Sequence, residues 1–162
     1  MSATLEYITK LSHIKAGSRT LVRTHANLSL NHSVDAFDLF TGLWWPLRQQ
    51  SQFAPRRRVA WLVAKLHAVS PLPHQPGQTL PIQLAKIWHR QPDTNTKNRF
   101  QRKFDDLLCR PLDQMEPALQ WALRTIGSAN EPSLDWVQLT DDLSRWEQPQ
   151  VREKWAEVFL GR

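Results

Sequence analysis

The spacing of large apolar residues decides what this chain can fold into. Phe37, Phe40, Trp44 and Leu47 fall at i, i+3, i+7 and i+10. Val59, Leu62, Val63 and Leu66 fall at i, i+3, i+4 and i+7. This is the 3.6-residue period of helices with one buried stripe, whereas a half-buried strand alternates at period two. With 5 Gly in 162 residues, the chain also lacks the turn residues that tight hairpins need. The expected fold is all-α, with about eight or nine helices in two small packed bundles.

Residues 4–15 read as a first helix with Leu5, Ile8 and Leu11 inward, stopped at Gly17 and followed by a short helical piece over 19–24. Ser33 is placed to N-cap the helix that carries Phe37 to Leu47, with Asp35 in its first turn, where the helix dipole favours an anion. Pro46 is expected to kink or end it. Pro55 opens a helix over 56–69. Residues 70–81, with four Pro and one Gly, read as a loop. A short helix over 82–88 precedes a polar turn at 91–95. That turn is the expected boundary between an N-terminal helical domain (1–95) and a C-terminal one (96–162). The second domain holds a helix over 96–108 burying Phe100, Phe104, Leu107 and Leu108. A helix led by Pro117 and closed at Gly127 follows. Ser133 then caps a helix carrying Trp136, Leu139, Leu143 and Trp146, and the last helix uses Val151, Trp155, Val158 and Phe159 and ends at Gly161.

Charge divides the chain as well. Residues 1–110 hold 16 Lys/Arg against 6 Asp/Glu, and residues 111–162 hold 5 against 9, so the net +6 comes from a basic N-terminal part and an acidic remainder. Such a balance points to a polyanionic partner. The cations cluster. Arg19 and Arg23 are four apart on a helix. Arg56, Arg57 and Arg58 start another helix, with Lys65 further along it. Lys97, Arg99, Arg102, Lys103 and Arg110 stud a third. Arg99, Lys103 and Arg110 form a stripe opposite Phe100, Phe104 and Leu107. Patches on separate helices suit a track for phosphates without base readout; the ordinary alternative is a set of solvated helix faces. Trp44, Trp136, Trp146 and Trp155 occupy inward positions and read as core. Trp45 and Trp88 are not fixed by the pattern, and exposed aromatics can stack on unpaired bases.

Nothing in the sequence assembles a catalytic site. His13, His25, His32, His67, His74 and His89 show no zinc-ligand spacing, and His25 and His32 read as surface loop residues. Asp105–Asp106 and Asp141–Asp142 are adjacent pairs whose side chains diverge on a helix. No phosphate-binding Gly-rich loop or nucleophile elbow occurs. The expectation is a protein that is no enzyme, with no metal and no cofactor. Cys109 reads as a packing residue; a single Cys excludes an intramolecular disulfide and fits a reducing cytoplasm. MSATLEYITKLSHIK is too charged for a secretory signal, and no apolar run is long enough to span a bilayer, so a cytoplasmic location with no membrane partner is expected.

Gly17 to Arg23, Lys97 to Leu108 and Leu134 to Phe159 together resemble the CasB family, the small subunit of the type I-E CRISPR Cascade surveillance complex. Gly17 to Arg23 (GSRTLVR) is similar to its G-x-R-x-x-L-R segment, and Lys97 to Leu108 (KNRFQRKFDDLL) to its R-F-x-R-L-L helix. Leu134 to Phe159 resembles its D-W-x-x-L-x-x-D-L-x-x-W … V-x-x-x-W-x-x-x-F pattern, which fixes Asp135, Trp136, Asp142, Trp146, Trp155 and Phe159 together. Gly77 to Leu80 sits at its G-x-x-L turn. The order runs from about residue 5 to 160, with 25–55 matching least and Ser18 and Thr24 departing from the common residues. The resemblance implies two helical bundles, no catalysis, and a homodimer within Cascade beside the guide-bearing backbone. It implies partners in the other Cascade subunits, the guide RNA and both strands of target DNA, held so that the R-loop persists. Arg19, Arg23, Arg99 and Arg102 match the basic slots of its motifs; Arg56, Arg57, Arg58, Lys65, Lys97, Lys103 and Arg110 are candidates on charge alone. In a guided complex base pairing reads sequence and protein needs only shape and charge. A free-standing helical DNA- or RNA-binding regulator or adaptor is the other class. It would need a recognition helix behind a helix-turn, and helix 56–69 has no convincing one before it. A metal-dependent nuclease would need a carboxylate constellation that the sequence does not supply.

Overall fold

The computed structural model describes residues 2–28 and 34–161. Ser33 and the side chains of Asp35 and Phe37 lie outside the described residues. Among the described residues there are nine α-helices: α1 (Ala3–Ser12), α2 (Ala16–Arg23), α3 (Val34–Gln50), α4 (Arg57–Val69), α5 (Leu80–His89), α6 (Thr94–Cys109), α7 (Glu116–Gly127), α8 (Trp136–Ser144) and α9 (Pro149–Leu160). Among the described residues a 3-10 turn at Leu112–Gln114 precedes α7, and the all-α expectation holds. No described helix is long and apolar enough to cross a membrane.

The chain divides into two compact units, Met1–Pro71 and Leu72–Arg162. The division falls at Pro71 and not near residue 95, because α5 packs on α6, α7 and α9, all later in the chain. The polar turn at 91–95 is only the α5–α6 connection.

In the first unit α4 is central. A helix apolar all round is a buried one, and Val59 to Ala68 are all buried. Alanines 60, 64 and 68 let neighbours approach. The Tyr7 hydroxyl of α1 donates to the Ala60 carbonyl at 2.6 Å, and Phe40 of α3 stacks on Trp44 and meets Trp61 edge-on. Two local expectations change here. Gly17 lies inside α2 and does not stop α1, which ends at Ser12 with His13 as its cap. A helical Gly costs about 0.5–1 kcal/mol against Ala, and the burial of Val22 on that short helix outweighs it. Pro46 does not end α3, which continues to Gln50; the buried Trp44 and Leu47 on either side carry the helix past the missing N–H.

In the second unit Phe159 of α9 is sandwiched by aromatics. It stacks on Phe104 at 4.1 Å and lies 5.0 Å from Trp88. Trp146 and Trp155 meet edge-to-face at 4.9 Å. Prolines stand in the first turns of α5, α7 and α9, where their missing N–H has no helical partner to lose. Gly161 closes α9 with φ +75°, a left-handed cap. Gly127 is the last helical residue of α7 and Ser128 its cap. The cap of α8 is Asp135 and not Ser133.

Candidate nucleic-acid interface

The basic residues of the first unit separate into two places. On α2, Arg23 is exposed but Arg19 is half-buried; its Nη2 reaches the Ser12 carbonyl at 3.5 Å, and its Nε is buried with no hydrogen-bond partner among the described residues. The positive charge of Arg19 bears on His67, near the C-terminal end of α4. Burial, and then that charge, push the His67 pKa down to about 4. Arg56, Arg57 and Arg58 are exposed at the other end of α4. Ten residues of helix, about 15 Å, separate Arg57 from His67. The two motifs do not converge.

Lys65 is removed from the basic surface. It is 4% exposed, its Nζ donates to the Leu28 carbonyl at 2.6 Å, and it lies over the Trp61 ring. The Trp61 indole N–H donates to the same carbonyl at 3.0 Å. Its place on the fully buried helix, invisible when only one face is read as apolar, turns this cation into an internal anchor for residue 28.

On α6 the candidates do share a helix. Asp93 caps it, accepting from the Thr96 N–H at 2.8 Å, which holds its carboxyl below the usual carboxylate range. Phe100, Phe104 and Leu107 face the core, and Arg99, Arg102 and Lys103 are exposed. Lys103 lies 5.6 Å over the ring of Trp121. Two members depart from the expected stripe. Lys97 is half-buried over Trp88, whose indole N–H donates to the Lys97 carbonyl. Arg110 is paired with Asp106 at 2.8 Å and reaches the Gln114 carbonyl. The side chains of Arg23, Arg58 and Arg102 reach no carboxylate among the described residues.

The aromatic and acidic pattern of the C-terminal stretch is structural. Asp135 uses both oxygens: one accepts from the Gln138 N–H and caps α8, the other accepts from the Gly77 N–H at 2.9 Å. Gly77 has φ +86°, a backbone conformation that favours Gly. Trp136 donates its indole N–H to the Leu72 carbonyl, and its backbone N–H meets the His74 ring. Residues 72–78 are therefore fastened to the start of α8. Asp142 accepts from the Trp155 indole and from Gln138, and the Trp146 indole donates to the Arg110 carbonyl. All four tryptophans expected inside are buried, Trp88 is half-buried and Trp45 is exposed. Cys109, read as packing, is exposed, because it closes α6 off the apolar stripe. Among the described residues no three His, Cys, Asp or Glu converge as metal ligands.

The sequence pattern missed the segment between α3 and α4. Arg48 turns back to donate one nitrogen to the Gln52 and Ala54 carbonyls at 2.9 and 2.8 Å. The Trp44 indole donates to the Pro55 carbonyl at 2.7 Å. Between these anchors Phe53 stands 80% exposed. Only the flanking Ser, Pro and Arg signalled a turn here.

Residues 19–159 match the family of CRISPR-associated protein Cse2. A CRISPR-associated protein Cse2 of Thermus thermophilus is 31% identical over 107 residues, which is 65% of this chain and 57% of that protein, little more than half its length. The crystal structure of CasB from Thermus thermophilus superposes with a TM-score of 0.72 at 25% identity, covering 98% of this chain and 96% of that one. A chain of a CRISPR RNA-guided surveillance complex has the same fold, with a TM-score of 0.68 at 19% identity over 97% of this chain and 89% of that one. The family match runs from α2 to α9, through both units and through the residues that fasten α8, and the chain belongs to the Cse2 (CasB) family of CRISPR-associated proteins.

Proposed function

We propose that the protein is a non-catalytic subunit of a CRISPR Cascade effector complex that stabilises the R-loop. It does so by sequence-independent contacts to the backbones of target and displaced DNA. It works with the other Cascade subunits and the guide RNA, as a homodimer within the complex and in the cytoplasm. The observation that carries this reading is the exposed basic face of α6, where Arg99, Arg102 and Lys103 stand away from the buried Phe100, Phe104 and Leu107. In the first unit, taken by itself, Arg23 and Arg56 to Arg58 are exposed as well. Exchange of a DNA duplex for a guide heteroduplex is nearly balanced, so modest backbone contacts decide how long the loop stays open. Asp106 is ion-paired with Arg110, and Asp142 accepts from Trp155 and Gln138.

The test is R-loop lifetime in the reconstituted complex with wild-type protein and with Arg99→Ala/Arg102→Ala. The double variant should fold, enter the complex and shorten the lifetime. With about four to six phosphates neutralised, log K for the protein alone should fall with log salt at a slope of roughly −3 to −5. Unchanged lifetimes with a flat salt response would refute the reading. Strong preference for one DNA sequence would favour the regulator class instead.

A further inference from the structure

The α3–α4 connection presents an aromatic ring to solvent on a fixed frame. A lone exposed apolar residue is ordinary, but the setting of Phe53 is not. Ala54 and Pro55, directly after it, are buried. Arg48 holds the carbonyls of Gln52 and Ala54, and Trp44 holds that of Pro55. The Phe53 N–H donates to the Ser51 hydroxyl, and the Ala54 N–H to the Ser51 carbonyl. Every neighbour is tied down while the ring points out. Three residues later come Arg56, Arg57 and Arg58, all exposed, at a helix start with no acidic residue in its first turn.

We infer that Phe53 is a stacking platform for an unpaired nucleobase, with Arg56 to Arg58 holding the adjacent phosphates, so that this edge of the first unit binds single-stranded nucleic acid. The inference rests on the nucleic-acid reading above and names the kind of strand and the contact. An aromatic face takes any base, and a neighbouring cationic run tracks the backbone without reading sequence. The local charge decides between occupants. A ring docking into a protein groove has no need of three consecutive arginines, whereas a polyanion whose bases are accessible meets both features at once.

The experiment compares binding of the full-length protein to oligo-dT and to an abasic strand of equal length. Phe53→Ala should weaken oligo-dT binding about tenfold, the effect of losing one stacked base, and leave abasic-strand binding unchanged. Phe53→Trp should restore the loss and Phe53→Leu should not. Arg57→Ala/Arg58→Ala should weaken both strands alike. A 2-aminopurine placed in the strand should be quenched by wild type and not by Phe53→Ala. If wild type binds both strands but Phe53→Ala changes neither, or Leu serves as well as Trp, stacking is refuted while the nucleic-acid reading stands. If Phe53→Ala instead weakens only retention in the assembled complex, the ring is a protein contact and the inference is wrong. If wild type binds neither strand, the nucleic-acid reading falls with it.

Discussion

Replacing Asp135 separates two bonds that one side chain makes. Its first oxygen caps α8 through the Gln138 N–H at 2.9 Å, and its second takes the Gly77 N–H at 2.9 Å. Loss of an Asp cap costs about 1 kcal/mol. The bond to Gly77 is charge-assisted but lies near solvent, and about 1 kcal/mol is a fair value for it. Asp135→Ala should therefore destabilise the second unit by about 2 kcal/mol. Asp135→Asn should lose about half as much, because the amide oxygen still caps α8 while the NH₂ cannot accept from Gly77. Urea unfolding of the full chain gives the totals, and amide exchange divides them. The Ala variant should expose both the Gly77 and Gln138 amides to faster exchange, and the Asn variant that of Gly77 alone. An Ala variant within about 0.5 kcal/mol of wild type, the range of an ordinary surface change, would show that the side chain fastens nothing.

Other outcomes follow from buried groups. His67, 3% exposed, has a folded pKa of about 4 against 6.5, so the folded protein binds fewer protons than the unfolded chain. Its stability contribution is complete above pH 6.5 and is lost as pH falls from 6.5 to 4, by about 3 kcal/mol in all. His67→Gln should flatten that part of the stability profile measured by urea titration across pH, and parallel profiles would refute the assignment. Lys65→Met should leave nucleic-acid affinity and its salt slope unchanged, whereas Arg102→Ala should make the slope shallower by about one unit if that side chain holds a phosphate. Trp136→Phe strands the Leu72 carbonyl in the interior and should cost about 1–3 kcal/mol in thermal or urea unfolding.

The helices were legible because each carries its apolar residues at a period no strand could share. Their ends were less so. Ser133 and Asp135 are both good caps in isolation; in the structure Asp135 takes the Gln138 N–H and is held besides by the Gly77 N–H. Lys65 is buried against expectation for a deeper reason. A sequence shows that Val59, Leu62, Val63 and Leu66 share a stripe, but not that small Ala60, Ala64 and Ala68 admit neighbours on the other sides. The α6 arginines were placed correctly outward, since a helix with one apolar face leaves them nowhere else. Phe53 carries no periodic signal, because the turn that presents it is held by side-chain-to-backbone hydrogen bonds from Trp44 and Arg48.

The stretch with four prolines would ordinarily be chosen as the place to cut this protein in two. Its bonds to α8 make most of it the wrong place. A fragment beginning at residue 80 leaves the Asp135 carboxylate without Gly77 and the Trp136 indole without its carbonyl. One beginning at residue 96 also forfeits α5, against which α6, α7 and α9 all pack. Severed after Pro71, the C-terminal piece keeps its own strap, and Gly77 should stay protected from exchange after cleavage at a protease site inserted there. Hinges and cleavage sites are usually sought where glycine and proline gather; in this chain that search has to stop at the first proline of the run.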